Sequence, residues 1–68
     1  MSPLKFYRLQ AGLTQAEVAD KLGVTQSALS RWENGANPPL PKYRRKLRQL
    51  YHATEDELFP KEEHAGKS

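Results

Sequence analysis

Sixty-eight residues hold one domain and no second, with a core so small that the expected stability margin is about 3–5 kcal/mol. The absence of cysteine excludes disulfides, thiolate metal sites and cysteine nucleophiles and fits a reducing, cytoplasmic setting; no apolar run approaches the ~20 residues of a membrane span, and MSPLKFYRLQ lacks a secretory core. The net charge of +3 is uneven: residues 1–53 carry nine Lys/Arg against three acids, residues 54–68 two lysines against five acids, and this basic body fits a polyanion partner or a plain solvated surface equally well.

In chain order, Ser2 caps a first helix with Pro3 at its first position, where a missing N–H costs nothing. Leu4, Tyr7 and Ala11 follow at helical spacing, and Gly12 ends it. Thr14-Gln15-Ala16-Glu17 is a capping box, with Leu13 and Val18 at staple spacing. The second helix runs to Leu22, with Gly23 as a left-handed stop. Thr25 caps a third helix, stapled by Val24 and Leu29 and closed by Gly35. ANPPLP cannot be helical. A fourth helix starts near Pro41 with Tyr43, Leu47, Leu50 and Tyr51 on one face. Thr54-Glu55-Asp56-Glu57 opens a single turn carrying Leu58 and Phe59, and Pro60 stops it. The tail KEEHAGKS, residues 61–68, reads as disordered. No strand pattern and no repeat is present.

Three residues, Gly23-Val24-Thr25, join the second and third helices, which forces a sharp crossing. Val18, Ala19, Leu22, Val24, Leu29 and Trp32 interlock across it, and Ala19 is small where two helices approach closely. This is a helix-turn-helix pattern. It turns Leu29 and Trp32 inward and leaves Gln26, Ser27, Ser30 and Arg31 outward. Gln bonds bidentately to adenine and Arg to guanine, and the N-terminal residues of such a helix meet base edges. Any one of these side chains alone would read as soluble surface. Together, on a capped helix in a basic body, they favour base contact for Gln26, Ser27 and Arg31. Ser30 is balanced between base contact and surface. The spacing of Trp32 from Leu29 makes it core and not a stacking platform for single strands.

The segment LTQAEVADKLGVTQSALSRWENG resembles the Cro/repressor-type helix-turn-helix family, also called the XRE family, to which small phage repressors belong. The resemblance extends from about Leu4 to Phe59 and rests on GLTQ (12–15), the Ala19/Gly23/Leu29 framework and SRWENG (30–35) in one register. It implies an all-α, compact five-helix domain of the lambda-repressor-like DNA-binding fold over residues 1–60, with its motif at about 15–34, binding operator DNA as a two-fold dimer. It further implies that Gln15 touches a phosphate and braces the next glutamine, and that Gln26 contacts adenine. Thr25, Ser27 and Arg31 match positions that set the operator read, Asn34 matches a phosphate contact, and Arg8 with Glu33 matches a structural pair bridging the first helix to the end of the third.

ANPPLP stands where many members of that family carry a more basic loop, and the basic charge sits instead in the fourth helix. Lys42, at its start, is the phosphate candidate there. Arg44, Arg45, Lys46 and Arg48 read as a solvated face adding long-range attraction. The expected function is a sequence-specific duplex DNA-binding transcriptional regulator, most simply a repressor, on an inverted-repeat operator. Its dimer is expected to be weak and assembled on DNA, through the loop at Leu40 or the region of Phe59. The alternative is a protein-interaction module, antitoxin- or antirepressor-like, using the acidic end and the exposed parts of Leu58 and Phe59. An enzyme is not expected. His52 and His64 stand in no catalytic or metal-ligand constellation, all four glycines are helix stops or lie in the tail, and no cofactor, metal, membrane or small-molecule ligand is implied.

Overall fold

In the computed structural model, which describes residues 2–60, five helices follow one another: α1 (Pro3–Gln10), α2 (Gln15–Leu22), α3 (Gln26–Glu33), α4 (Pro41–Tyr51) and α5 (Glu55–Leu58). The expected disordered tail, 61–68, lies outside the described residues. The architecture is all-α, with no strand among the described residues.

Local chemistry sets most of the boundaries. Ser2 Oγ accepts from the Lys5 amide at 3.2 Å. Thr14 and Glu17 exchange bonds at 2.8 and 3.0 Å, and Thr54 and Glu57 at 2.8 and 3.1 Å, so α2 and α5 each open on a complete capping box. Thr25 Oγ1 accepts from Ala28 N–H at 3.1 Å and caps α3. Gly23 leaves α2 at φ 77°, and the Val24 amide returns to Ala19 O at 3.0 Å, the six-to-one bond of a Schellman stop. The fourth helix ends without a glycine. His52 takes the left-handed position itself, at φ 53°, a conformation in which His is among the better-tolerated side chains.

Leu4, Val18, Leu22, Leu29, Leu47, Tyr51 and Leu58 form the core, with Tyr7, Leu13, Val24, Trp32, Tyr43, Leu50, Ala53 and Phe59 packed around it. Every helix contributes at least one buried residue, so no element is dispensable to so small an interior. Two expectations change. Ala11 is exposed, and the inner position on α1 after Leu4 belongs to Arg8. Arg44 and Arg48 are not a free solvated face. Both are half-buried, and their guanidinium groups reach Glu55 of α5: Arg44 Nη2 hydrogen-bonds Glu55 Oε2, and Arg48 Nε stands 3.6 Å from Oε1. Arg44 also lies 4.6 Å over the Phe59 ring, which pins the short α5 against α4.

Candidate nucleic-acid interface

Leu29, fully buried, and Trp32, half-buried, anchor α3 to the core, and the buried Ala19 allows α2 to cross it closely. The rest of α3 is turned outward. Thr25, Gln26, Ser27 and Arg31 are exposed and Ser30 is half-buried. Asn34, exposed, closes the helix as its C-cap. Thr25 has one oxygen lone pair committed to the cap and keeps its hydroxyl proton free to donate.

Behind this face lies a chain of hydrogen bonds that ties three helices together. Arg8 Nε and Nη2 donate to Glu33 Oε2 and Oε1 at 2.7 and 3.2 Å, and Nη1 donates to Leu13 O at 3.0 Å. Gln15, half-buried at the start of α2, donates from Nε2 to Glu33 Oε1 at 3.0 Å. Gln26 Nε2 approaches Gln15 Oε1 at 3.5 Å, the outer limit of a hydrogen bond. Arg8 and Glu33 are 7 % and 4 % exposed, so this is an interior ion pair and not the surface pair whose worth would be only ~0.2–1 kcal/mol. Hydrogen bonding to the Glu33 carboxylate raises the Arg8 pKa above its already high ordinary value and keeps the guanidinium charged. Close by, burial and, secondarily, the Glu33 charge push the Tyr51 phenol up to about 12.

Lys42 is exposed at the start of α4 and joins this group indirectly. Its Nζ lies 5.0 Å from the Tyr43 ring centroid, and the Tyr43 ring packs on Trp32 at 5.4 Å. Lys46 Nζ, one turn on, is 5.9 Å from the same ring. This aromatic pair couples the end of α3 to the basic edge of α4; the sequence turned both rings inward without pairing them. Arg45 is exposed beside them.

Elsewhere, an apolar groove of about 640 Å³ opens between the start of α1, the loop after α3 and the end of α5, lined by Pro3, Trp32, Pro38, Pro39 and Phe59 among others. Leu58 is 2 % exposed and belongs to the core, which removes it from any partner surface. Among the described residues no group of three His, Cys, Asp or Glu side chains is placed to hold a metal ion. Also among them, no helix is long and apolar enough to cross a membrane.

A short helix anchored by two residues, joined through a three-residue turn to a second helix packed against it and exposing an amide, hydroxyls and a guanidinium, defines a helix-turn-helix protein. The family model described as helix-turn-helix matches residues 4–58, and the chain belongs to that family, in its Cro/repressor or XRE type, a family of DNA-binding transcription regulators and not of enzymes. Among curated proteins it is similar to the HTH-type transcriptional regulator ImmR of Bacillus subtilis (strain 168), with 37 % identity over 65 residues, covering 96 % of this chain and 51 % of that protein. The chain thus spans about half the length of this curated relative. No solved structure matches it.

Proposed function

We propose that this chain is a sequence-specific duplex DNA-binding repressor of the cytoplasm, with residues 1–60 as its binding unit. In this reading α3 enters the major groove. Gln26, Ser27 and Arg31, with Thr25 and Ser30 at the margins, meet base edges. Gln15, Asn34 and Lys42 meet phosphates. Affinity comes mainly from neutralised phosphates and specificity from α3. Repression follows from occupancy: a protein seated on an operator blocks polymerase, and no catalytic step is involved.

One observation carries the reading. The outward side chains of α3 are polar, and Thr25, Gln26, Ser27 and Arg31 among them are exposed, while Leu29 is buried and Trp32 packs against the core, so the helix is anchored with its hydrogen-bonding groups presented. A single α3 reads few base pairs, so specificity in a genome needs two copies or a partner, and the reading here is two copies on an inverted repeat, in a weak dimer formed on the DNA. Leu40, 63 % exposed in the loop before α4, supports that loop as the contact between copies.

A second reading, a protein-interaction module, is favoured by a different observation. Phe6 and Leu9, 45 % and 49 % exposed, stand three residues apart on α1. Selection of bound sequences from a random duplex pool, in ~0.15 M salt to suppress charge-driven binding, separates the two. An enriched inverted repeat with half-sites about one helical turn apart supports the repressor. Binding that fades with salt and enriches nothing supports the interaction module.

A further inference from the structure

From Asn34 to Pro41 the chain holds no Lys or Arg, so no charge in that loop neutralises a phosphate beyond the C-terminal end of α3. The next positive charges stand at the start of α4. Lys42 and Lys46, both exposed, are four residues apart and so share one side of that helix. Two like charges at this spacing repel and weaken a helix. No acid relieves them: among the described residues the ion pairs are Arg8–Glu33, Arg44–Glu55 and Arg48–Glu55.

Both lysines instead approach the ring of Tyr43, with Lys42 Nζ at 5.0 Å and Lys46 Nζ at 5.9 Å from its centroid. An aromatic face attracts an ammonium within about 6 Å. It is no conventional acceptor, so each lysine keeps its N–H donors for an anion. The same ring packs on Trp32 at 5.4 Å, in the last turn of α3. The two charges are thereby tied to the helix whose outward face is read as the base-contacting one. Arg45, between them in sequence, makes no such ring contact among the described residues.

We infer that Lys42 and Lys46 together form a clamp for backbone phosphate, with Tyr43 as the positioning residue that holds both ammonium groups ready. This rests on the proposed function, in which Lys42 meets a phosphate, and adds to it Lys46 and the ring that organises the pair. A long side chain held in place before binding loses less freedom on binding. The clamp supplies from α4 the positive charge that the loop lacks.

The test measures binding of the full chain to the selected operator and to an unrelated duplex over a salt series. Lys46→Ala alters only an exposed side chain. It is expected to weaken both duplexes by a similar factor, roughly fivefold at ~0.15 M salt, and to shrink the slope of log K against log salt by about 1. Arg45→Ala removes an equal charge that no ring holds, and a loss of about twofold or less is expected from long-range attraction alone. Tyr43→Leu, checked for folding by circular dichroism, keeps an apolar side chain against Trp32 and gives up the ring face. Both charges remain, so the salt slope should hold while both duplexes weaken by about threefold. Tyr43→Phe should restore the affinity, and Tyr43→Leu should cost nothing further in a Lys42→Ala, Lys46→Ala background. An unchanged slope in Lys46→Ala, an equal loss in Arg45→Ala, or a Tyr43→Leu loss confined to the operator or persisting without the lysines overturns the inference and leaves base reading standing. A wild type that binds both duplexes equally overturns base reading alone, and one that binds neither overturns both. Should Tyr43→Leu fail to fold, Lys46→Ala and Arg45→Ala decide the matter.

Discussion

Arg8 and Glu33, twenty-five positions apart, meet in the interior through two hydrogen bonds of 2.7 and 3.2 Å. Arg8 comes from the last turn of α1 and Glu33 from the last position of α3, so the pair holds the end of the exposed helix against the rest of the domain. Desolvating two charges is costly, and their attraction offsets this only while both are present and hydrogen-bonded. Leu13 O supplies part of that completion by accepting from Arg8 Nη1.

Removing one partner is therefore worse than removing both. Glu33→Ala leaves a buried guanidinium unpaired and should cost about 3–5 kcal/mol, comparable to the whole margin of a domain this small. The double replacement Arg8→Met with Glu33→Leu should recover most of that loss. Urea denaturation of Arg8→Met, Glu33→Leu and the double variant measures the coupling. Additive losses would show that the pair contributes no interaction energy of its own.

Thr25→Ala removes the side-chain acceptor for the Ala28 amide at the start of α3. A loss of about 1 kcal/mol is expected, within the 0.5–2 kcal/mol range of such caps. Thermal denaturation reads it directly, and Thr25→Ser should restore most of it.

Lys42→Ala tests the phosphate assignment at α4. A phosphate contact carries no sequence information, so affinity should fall by a similar factor on operator and unrelated duplex, and the slope of log K against log salt should shrink by about 1. A selective loss on the operator would move Lys42 to a base-reading role.

The parts of this molecule legible in the sequence are those fixed by nearby residues. Thr14, Thr25 and Thr54 announce their helices because each caps an amide three positions on. Gly12, Gly23 and Gly35 announce the stops because each takes a positive φ. Interactions across the chain were far less legible. Helical spacing placed Ala11 on the inner face of α1, yet Arg8 is buried there, because its partner sits at the far end of α3 and arginine is buried only when paired. The resemblance to the XRE family implied that partnership; periodicity could not. Arg44 and Arg48 read as solvated because nothing local indicated that α5 would bring Glu55 beneath them. The end of α4 near His52 was legible without a glycine to mark it; that His52 itself takes the left-handed position was not. At the candidate interface the exposed residues of α3 followed from the helix period. The hydrogen bond from Gln15 to Glu33 behind them did not.

Tyr51 makes an alkaline prediction. Its phenol is pushed up to about 12, first by burial and then by the Glu33 charge, and its hydroxyl has no protein hydrogen-bond partner among the described residues. An unfolded tyrosine ionises near 10, so the stability held by the neutral phenol is complete below about pH 10 and is lost as pH rises toward 12. Tyr51→Phe should match or exceed the wild type near pH 7, because a buried hydroxyl without a partner carries a desolvation cost of about 1–3 kcal/mol. It should also lose the part of the alkaline fall that belongs to this group. Chemical denaturation at pH 8 and pH 11 measures both, and an identical fall in wild type and variant would contradict the assignment.

The central claim is that the outward face of α3 reads bases. The measurement that tests it most directly compares wild type with the double variant Gln26→Ala, Arg31→Ala on the selected operator and on a scrambled duplex of equal length, over a series of salt concentrations. At ~1–3 kcal/mol per base contact, the variant should lose its preference for the operator by roughly a hundredfold. Binding to the scrambled duplex should change far less, by no more than the single lost Arg31 charge explains. An equal weakening on both duplexes, or none on either, would contradict the claim.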